Sequence, residues 1–178
     1  MEDLTAVERR ASHIKLLLMD CDGVLTDGRL MLLKNGDEQK LFNVRDGQGV
    51  VLLHRAGLMS GIISGRRSTF VEQRARELAI TYCRQGSHDK VKDFGELLAE
   101  ARVDEGEVAF VGDDLADIPL LRRARLAVAV ADAVAETRAA AHYVTQQPGG
   151  HGAVREVVEL ILKARGLWHE SVENFLKR

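Results

Sequence analysis

Short apolar runs recur along the chain, each closing on a glycine or an aspartate, with stretches of helical periodicity between them. Ile14–Met19, Met59–Ile63, Val108–Val111, Ala127–Val130 and Tyr143–Val144 are brief and nearly continuous in apolar residues. That pattern predicts strands buried on both faces of a sheet. Helices are predicted near Gly47–Arg55, Thr69–Leu78, Lys90–Ala101, Leu115–Arg122, Ala133–Ala140 and Ala153–Ala164. Leu97, Leu98 and Ala101 recur at helical spacing, as do Val154, Val157, Val158, Ile161 and Leu162. Alternation of strand and helix in this order predicts a mostly parallel, three-layered α/β fold.

Two segments break the alternation. Gly28–Val44 reads as two short strands around Lys34-Asn35-Gly36-Asp37, and Asn-Gly is a strong hairpin signal. This hairpin, about residues 28–44, follows the first acidic motif and is placed to lean over it as a flap. The tail 167–178 carries Trp168, Val172, Phe175 and Leu176, apolar residues that need a surface and are expected to find it on another subunit.

Length and charge narrow the function. A chain of 178 residues suits one domain, and no insertion is large enough for a separate lid. The net charge of −2, with arginines interleaved among acids in Glu72-Gln73-Arg74-Ala75-Arg76-Glu77, argues against a nucleic-acid partner. Ile14–Met19 is too short to span a membrane, and Met1–Arg10 lacks the basic-then-apolar order of a signal peptide. Cys21 and Cys83 have neither metal-ligand spacing nor a disulfide framework, which suits a reducing, cytoplasmic setting.

The chemistry is concentrated where predicted strands end. Leu16-Leu17-Leu18-Met19 runs into Asp20-Cys21-Asp22-Gly23, and Val108-Ala109-Phe110-Val111 runs into Gly112-Asp113-Asp114-Leu115-Ala116-Asp117. Ligands of open α/β sheets bind just outside the carboxyl ends of strands. Carboxylates gathered there repel one another unless a cation neutralises them, and oxygen ligands suit a hard divalent ion. Asp20 can attack phosphorus while holding a metal, and Asp22 can protonate the leaving oxygen and then activate water. A Ca²⁺ loop does not fit, since Gly23 and Val24 stand at the wrong positions and no suitable Glu follows. Asp113 is the expected metal ligand. Asp114 and Asp117 are left to hold metal-bound water or a lysine, and Asp114 could instead be a helix cap. Between the clusters, Ser64 and Gly65 offer a hydroxyl and a backbone N–H to phosphate, and Lys90 offers positive charge.

The ordered set Asp20-Cys21-Asp22-Gly23-Val24, Ser64, Lys90 and Gly112-Asp113-Asp114-Leu115-Ala116-Asp117 resembles the haloacid dehalogenase superfamily of phosphatases over nearly the whole chain. Leu25-Thr26-Asp27-Gly28, Phe42-Asn43-Val44-Arg45-Asp46-Gly47, Gly65-Arg66, Gln85-Gly86, Val128–Ala133 and Gly149-Gly150-His151-Gly152-Ala153-Val154-Arg155-Glu156 resemble its capless 3-deoxy-D-manno-octulosonate 8-phosphate phosphatase subfamily. The resemblance implies a Rossmann-like sandwich without a cap and Mg²⁺ held by Asp20, the Asp22 carbonyl and Asp113. It further implies Asp20 as nucleophile, Asp22 as general acid/base, and Ser64 and Lys90 on the phosphoryl oxygens. A homotetramer is implied too, in which the hairpin and a neighbouring subunit restrict the site. The expected substrate is a phosphorylated sugar acid of lipopolysaccharide core assembly.

Arg45, Arg66 and Arg74 are candidates for its carboxylate, which arginine pairs bidentately; for Arg45 and Arg74 a surface ion pair is an equal alternative. Related nonulosonate 9-phosphate phosphatases tend to carry an acid at the position of Arg66, which separates the two readings; a phosphatase of another sugar phosphate, such as a nonulosonate 9-phosphate, is the runner-up. A non-catalytic partner of a sugar-nucleotide synthetase is the alternative outside enzymes. His151 stands where the subfamily usually carries arginine; it is a candidate substrate contact or an exposed turn residue. Ser64 replaces the commoner threonine and keeps the hydroxyl.

Overall fold

The computed structural model describes residues 3–34 and 38–177. In chain order the elements are α1 (Leu4–Ala11), β1 (Leu16–Met19), β2 (Met31–Leu32), β3 (Glu38–Gln39), α2 (Val44–Arg55) and β4 (Met59–Ser64). There follow α3 (Thr69–Glu77), β5 (Tyr82–Gln85), α4 (Lys90–Ala101), β6 (Val108–Gly112), α5 (Ile118–Leu121) and β7 (Leu126–Ala129). The chain closes with α6 (Ala135–Ala140), β8 (Tyr143–Val144), α7 (Ala153–Ala164) and α8 (Trp168–Leu176).

A six-stranded parallel sheet in the order β5-β4-β1-β6-β7-β8 forms the middle layer. Its strands read as unbroken apolar runs because both faces are covered. Leu17, Met19, Ala109, Val111 and Val128 point into the core shared with α1, α2, α3 and α7. Leu16, Leu18, Val108, Phe110 and Ala127 point the other way, onto Phe94, Leu97, Leu120 and Leu121 of α4 and α5. The period of two in a strand thus supplies two cores from one run. This is the expected three-layer, Rossmann-like arrangement.

Several boundaries differ from the sequence expectation, each for a physical reason. β5 was not expected: Tyr82-Cys83-Arg84-Gln85 is half-polar, and as an edge strand it is only half-buried. α1 rests on just two buried residues, Val7 and Ala11, one turn apart, too few to register as a periodic pattern. The predicted helix Leu115–Arg122 divides into a 3₁₀ turn over Leu115–Asp117 and the short α5, with Pro119 in its first turn, where a missing N–H costs nothing. The hairpin forms with β2 and β3 antiparallel, Met31 opposite Gln39, while its expected Asn35-Gly36 turn lies outside the described residues. The tail forms α8, and Leu167 and Trp168 at its start pack, partly buried, on this chain's own core, while Leu176 stays exposed. Trp168 is further covered by the Arg155 and Lys163 side chains, each 5.3 Å from the ring centroid.

α2 and α7 are tied by one buried carboxylate. Asp46 accepts from the Arg155 N–H at 2.8 Å and the Gly152 N–H at 3.1 Å, satisfying donors at the start of α7. Replacing Asp46 by Ala is expected to lower stability by about 2 kcal/mol, since buried donors lose a charged acceptor. Urea unfolding of D46A checks this; an unchanged midpoint would show that the start of α7 is held by other contacts.

Candidate active site

Because β4, β1 and β6 are adjacent and parallel, their carboxyl ends open on one edge, with Met19 level with Ile62 and Val111. Asp20 leaves β1 with its N–H still bonded to the Val111 carbonyl at 3.0 Å. The Cys21 carbonyl then accepts from the N–H groups of Val24, Leu25 and Thr26, so the chain turns sharply and leaves Asp22 and Gly23 on the rim. Gly23 has φ of +92°, and a Cβ there would overlap the Asp113 carboxylate; only glycine fits. The turn is buttressed from behind, where Gly149 is packed against the Gly23 carbonyl and the Gly150 N–H donates to Val24 at 2.9 Å.

Lys90, the first residue of α4, organises the acids. Its Nζ donates to Asp20 Oδ1 at 2.9 Å and to Asp117 Oδ1 at 2.7 Å. Asp117 in turn accepts from the N–H groups of Asp113 and Asp114 through Oδ2, at 3.0 and 3.4 Å. Of the two roles left open for Asp117, holding the lysine is the one observed. Asp114 is exposed and accepts from the Leu115 N–H, a capping contact.

Carboxylate oxygens of Asp20, Asp113 and Asp117 lie within 4.8 Å of one another, with one lysine among them. Burial and then the Asp20, Asp117 and Asp114 charges push the Asp113 carboxyl up to about 8. Burial and then the Asp117 charge push Asp20 to about 6, against the pull of Lys90. Burial opposes the Lys90 ammonium, but the two carboxylates outweigh it and hold its pKa above the ordinary value. Asp113 Oδ1 is buried with no hydrogen-bond partner among the described residues. Surplus negative charge, oxygen donors and an orphaned acceptor are what a hard divalent cation requires, so the residues present fit Mg²⁺.

Ser64 ends β4 and is buried; its Oγ accepts from the Arg66 N–H at 3.3 Å. The turns after β4 and β5 are stitched together by Ser87 N–H to the Ser64 carbonyl at 3.0 Å and Gly86 N–H to the Arg66 carbonyl at 3.1 Å. Gly65 and Arg66 are exposed on this edge, and the Arg66 guanidinium pairs with Glu38 of the hairpin. Asp20, Asp22, Ser64, Gly65, Arg66, Lys90 and Asp113 therefore all sit at strand ends, loops or helix starts of the same sheet edge.

Three named residues lie elsewhere within the chain. Arg74 is stacked over Phe42, 5.9 Å from the ring centroid, and bonds Glu77 at 2.9 Å. Arg45 and His151 share an open groove of about 610 Å³ with Tyr143, Arg155 and Glu156, lined by none of the acidic-cluster residues. Lys40 went unnoticed in the sequence. It is buried and pairs with Asp22 Oδ1, yet Glu38-Gln39-Lys40 reads locally as a solvated charged stretch.

The raised carboxyls give a signed expectation. A folded-state pKa above the unfolded one means the folded protein binds more protons between the ordinary carboxylate range and about 8. The contribution of Asp20 and Asp113 to stability in metal-free protein therefore falls as pH rises from about 4 to about 8. Added Mg²⁺ is expected to raise the melting temperature more at pH 8 than at pH 5, and D113N to abolish most of that difference. Melting curves with and without the metal check this; an equal Mg²⁺ effect at both pH values would contradict it.

A haloacid dehalogenase-like hydrolase family matches residues 83–157. The chain is 46% identical to the 3-deoxy-D-manno-octulosonate 8-phosphate phosphatase KdsC of Yersinia pestis over 89% of its own length and 85% of that protein's. It is 44% identical to KdsC of Escherichia coli K12, over 91% and 86% of the two chains. The crystal structure of the Moraxella catarrhalis 3-deoxy-D-manno-octulosonate 8-phosphate phosphatase with magnesium, phosphate and KDO superposes with a TM-score of 0.94. That pair is 39% identical, and the match covers 97% of this chain and 99% of the other. Its acidic sheet edge, its capless fold and these likenesses place this chain in the haloacid dehalogenase-like hydrolases, within the family of the 3-deoxy-D-manno-octulosonate 8-phosphate phosphatases.

Proposed function

We propose that this chain is a Mg²⁺-dependent phosphatase that hydrolyses 3-deoxy-D-manno-octulosonate 8-phosphate to KDO and phosphate, in lipopolysaccharide core biosynthesis. The observation that carries the reading is Asp20: a buried carboxylate at a strand end, gripped by Lys90 at 2.9 Å, beside an Asp113 oxygen with no hydrogen-bond partner among the described residues. Mg²⁺ would be held by Asp20, Asp113 and the Asp22 carbonyl, and when bound it neutralises these acids and draws charge from the phosphoryl oxygens. Asp20 attacks phosphorus through a carboxylate oxygen while Asp22 gives a proton to the departing sugar oxygen. Asp22 then takes a proton from water, whose oxygen attacks phosphorus and releases Asp20. Lys90 and the Ser64 hydroxyl hold phosphoryl oxygens in both steps.

The substrate reading rests on the KDO and phosphate found with the Moraxella catarrhalis relative. Arg66 supports it as a cationic partner for the sugar carboxylate, and it favours the octulosonate ester over a nonulosonate 9-phosphate. Arg74 pairs with Glu77, and Arg45 and His151 line a separate groove, so none of the three adds to the case for the substrate. Assembly into a homotetramer is supported by the hairpin, where Leu30, Met31, Leu32, Leu33, Leu41 and Val44 are exposed. So concentrated an apolar patch is unusual on a monomer. The whole chain acts as one catalytic domain in the cytoplasm; no helix among the described residues is long and apolar enough to cross a membrane.

D20N is expected to abolish phosphate release, by about 10⁴-fold or more, through loss of the nucleophile. The wild-type kcat/KM should be far higher for the octulosonate 8-phosphate than for a nonulosonate 9-phosphate or common hexose phosphates. Retained turnover in D20N would remove the nucleophile assignment, and equal slow turnover of all esters would remove the substrate. L32E, at a residue 70% exposed, is expected to dissociate the oligomer in light scattering without lowering the protomer's melting temperature. An intact tetramer in L32E would exclude the hairpin from the interface.

A further inference from the structure

A buried cation beyond Lys90 touches the catalytic groups. Lys40 follows β3 directly, at the end of the hairpin, and its side chain is 1% exposed. Burying an ammonium is unfavourable unless carboxylates compensate it. Its Nζ donates to Asp22 Oδ1 and lies 4.0 Å from Glu38 Oε2. The other oxygen of Asp22, Oδ2, is buried without a hydrogen-bond partner among the described residues. Asp22 also stands in a segment that has left strand geometry, next to Gly23 at positive φ, so no β-ladder fixes its side chain.

We propose that Lys40 is a positioning residue for leaving-group protonation, anchoring Asp22 Oδ1 so that Oδ2 faces the departing sugar oxygen. This deepens the reading above and rests on Asp22 as the acid. A carboxylic acid carries its proton on one oxygen, and an ammonium donor at Oδ1 directs that proton to Oδ2. In the first step the bond from phosphorus to the sugar oxygen breaks, that oxygen takes the Asp22 Oδ2 proton, and an Asp20 oxygen bonds to phosphorus. Lys40 keeps its own protons throughout. Glu38, which pairs with Arg66 on one side and approaches Lys40 on the other, ties the same strand to the turn after β4. The return strand of the flap therefore supports the acid directly, in addition to narrowing access.

Two esters separate this role from a merely structural one. The octulosonate 8-phosphate expels an alkoxide and needs a proton, whereas p-nitrophenyl phosphate expels a phenolate that barely does. The ratio kcat/KM reports the step in which the leaving oxygen departs, and D22A supplies the reference. K40M is expected to lower kcat/KM about 100-fold for the octulosonate ester and less than about threefold for p-nitrophenyl phosphate. K40A should recover octulosonate turnover when propylamine is added. Equal losses on both esters in D22A would overturn the acid assignment, and the Lys40 role with it. A split in D22A without one in K40M would overturn the Lys40 role alone. Should K40M fail to fold, K40A measured with and without propylamine removes and restores the ammonium, and the same two outcomes decide.

Discussion

The organisation of this protein follows from the repulsion among carboxylates forced onto one sheet edge. Asp20, Asp113 and Asp117 bring their oxygens within 4.8 Å of one another in a partly buried site. Such a cluster raises the energy of the folded state unless positive charge is delivered to it. Lys90 delivers part, from the first turn of α4, and Asp117 is turned back by its hydrogen bonds to the Asp113 and Asp114 N–H groups. The remainder of the charge is left for a divalent ion, and burial together with the neighbouring acids raises the Asp113 carboxyl. Affinity for the metal and instability without it are two readings of the same electrostatic energy.

The scaffold makes this arrangement possible by being rigid on both faces. Each central strand spends alternate residues on two separate cores, so helices packed on both faces hold the sheet in place. Carboxylates at its edge are thus held at fixed separations, and the local turns need only aim them. Glycine does that aiming at Gly23, where a side chain would meet Asp113, and at Gly149, which lets a second loop close against the first. The hairpin adds what an edge alone lacks, a covering element, and it brings Lys40 and Glu38 with it.

Much of this was legible from residue order. Continuous apolar runs ending in Asp20-Cys21-Asp22-Gly23 and Gly112-Asp113-Asp114 announced buried strands with acids at their carboxyl ends, and topology then had few ways to arrange them. Helix spacing marked α4 and α7 to the residue. The misses share a cause: α1 and β5 lie at the margins of the core and bury too little apolar surface to leave a pattern. For the tail, the sequence shows that Trp168 needs cover without showing that its own chain provides part of it.

The sequence by itself determined the fold class, the acidic strand ends and the kind of ion and chemistry they suit, because each is encoded in contiguous residues. Only the tertiary structure decided which acid the lysine grips, that Arg66 meets Glu38, and that Arg45, Arg74 and His151 stand apart from the cluster. It also brought Lys40 to Asp22 across 18 positions of chain. The physical reason is that periodicity reports burial, a property of a residue and its near neighbours. Pairing of charges depends on where the folded chain returns, and no local pattern carries that distance.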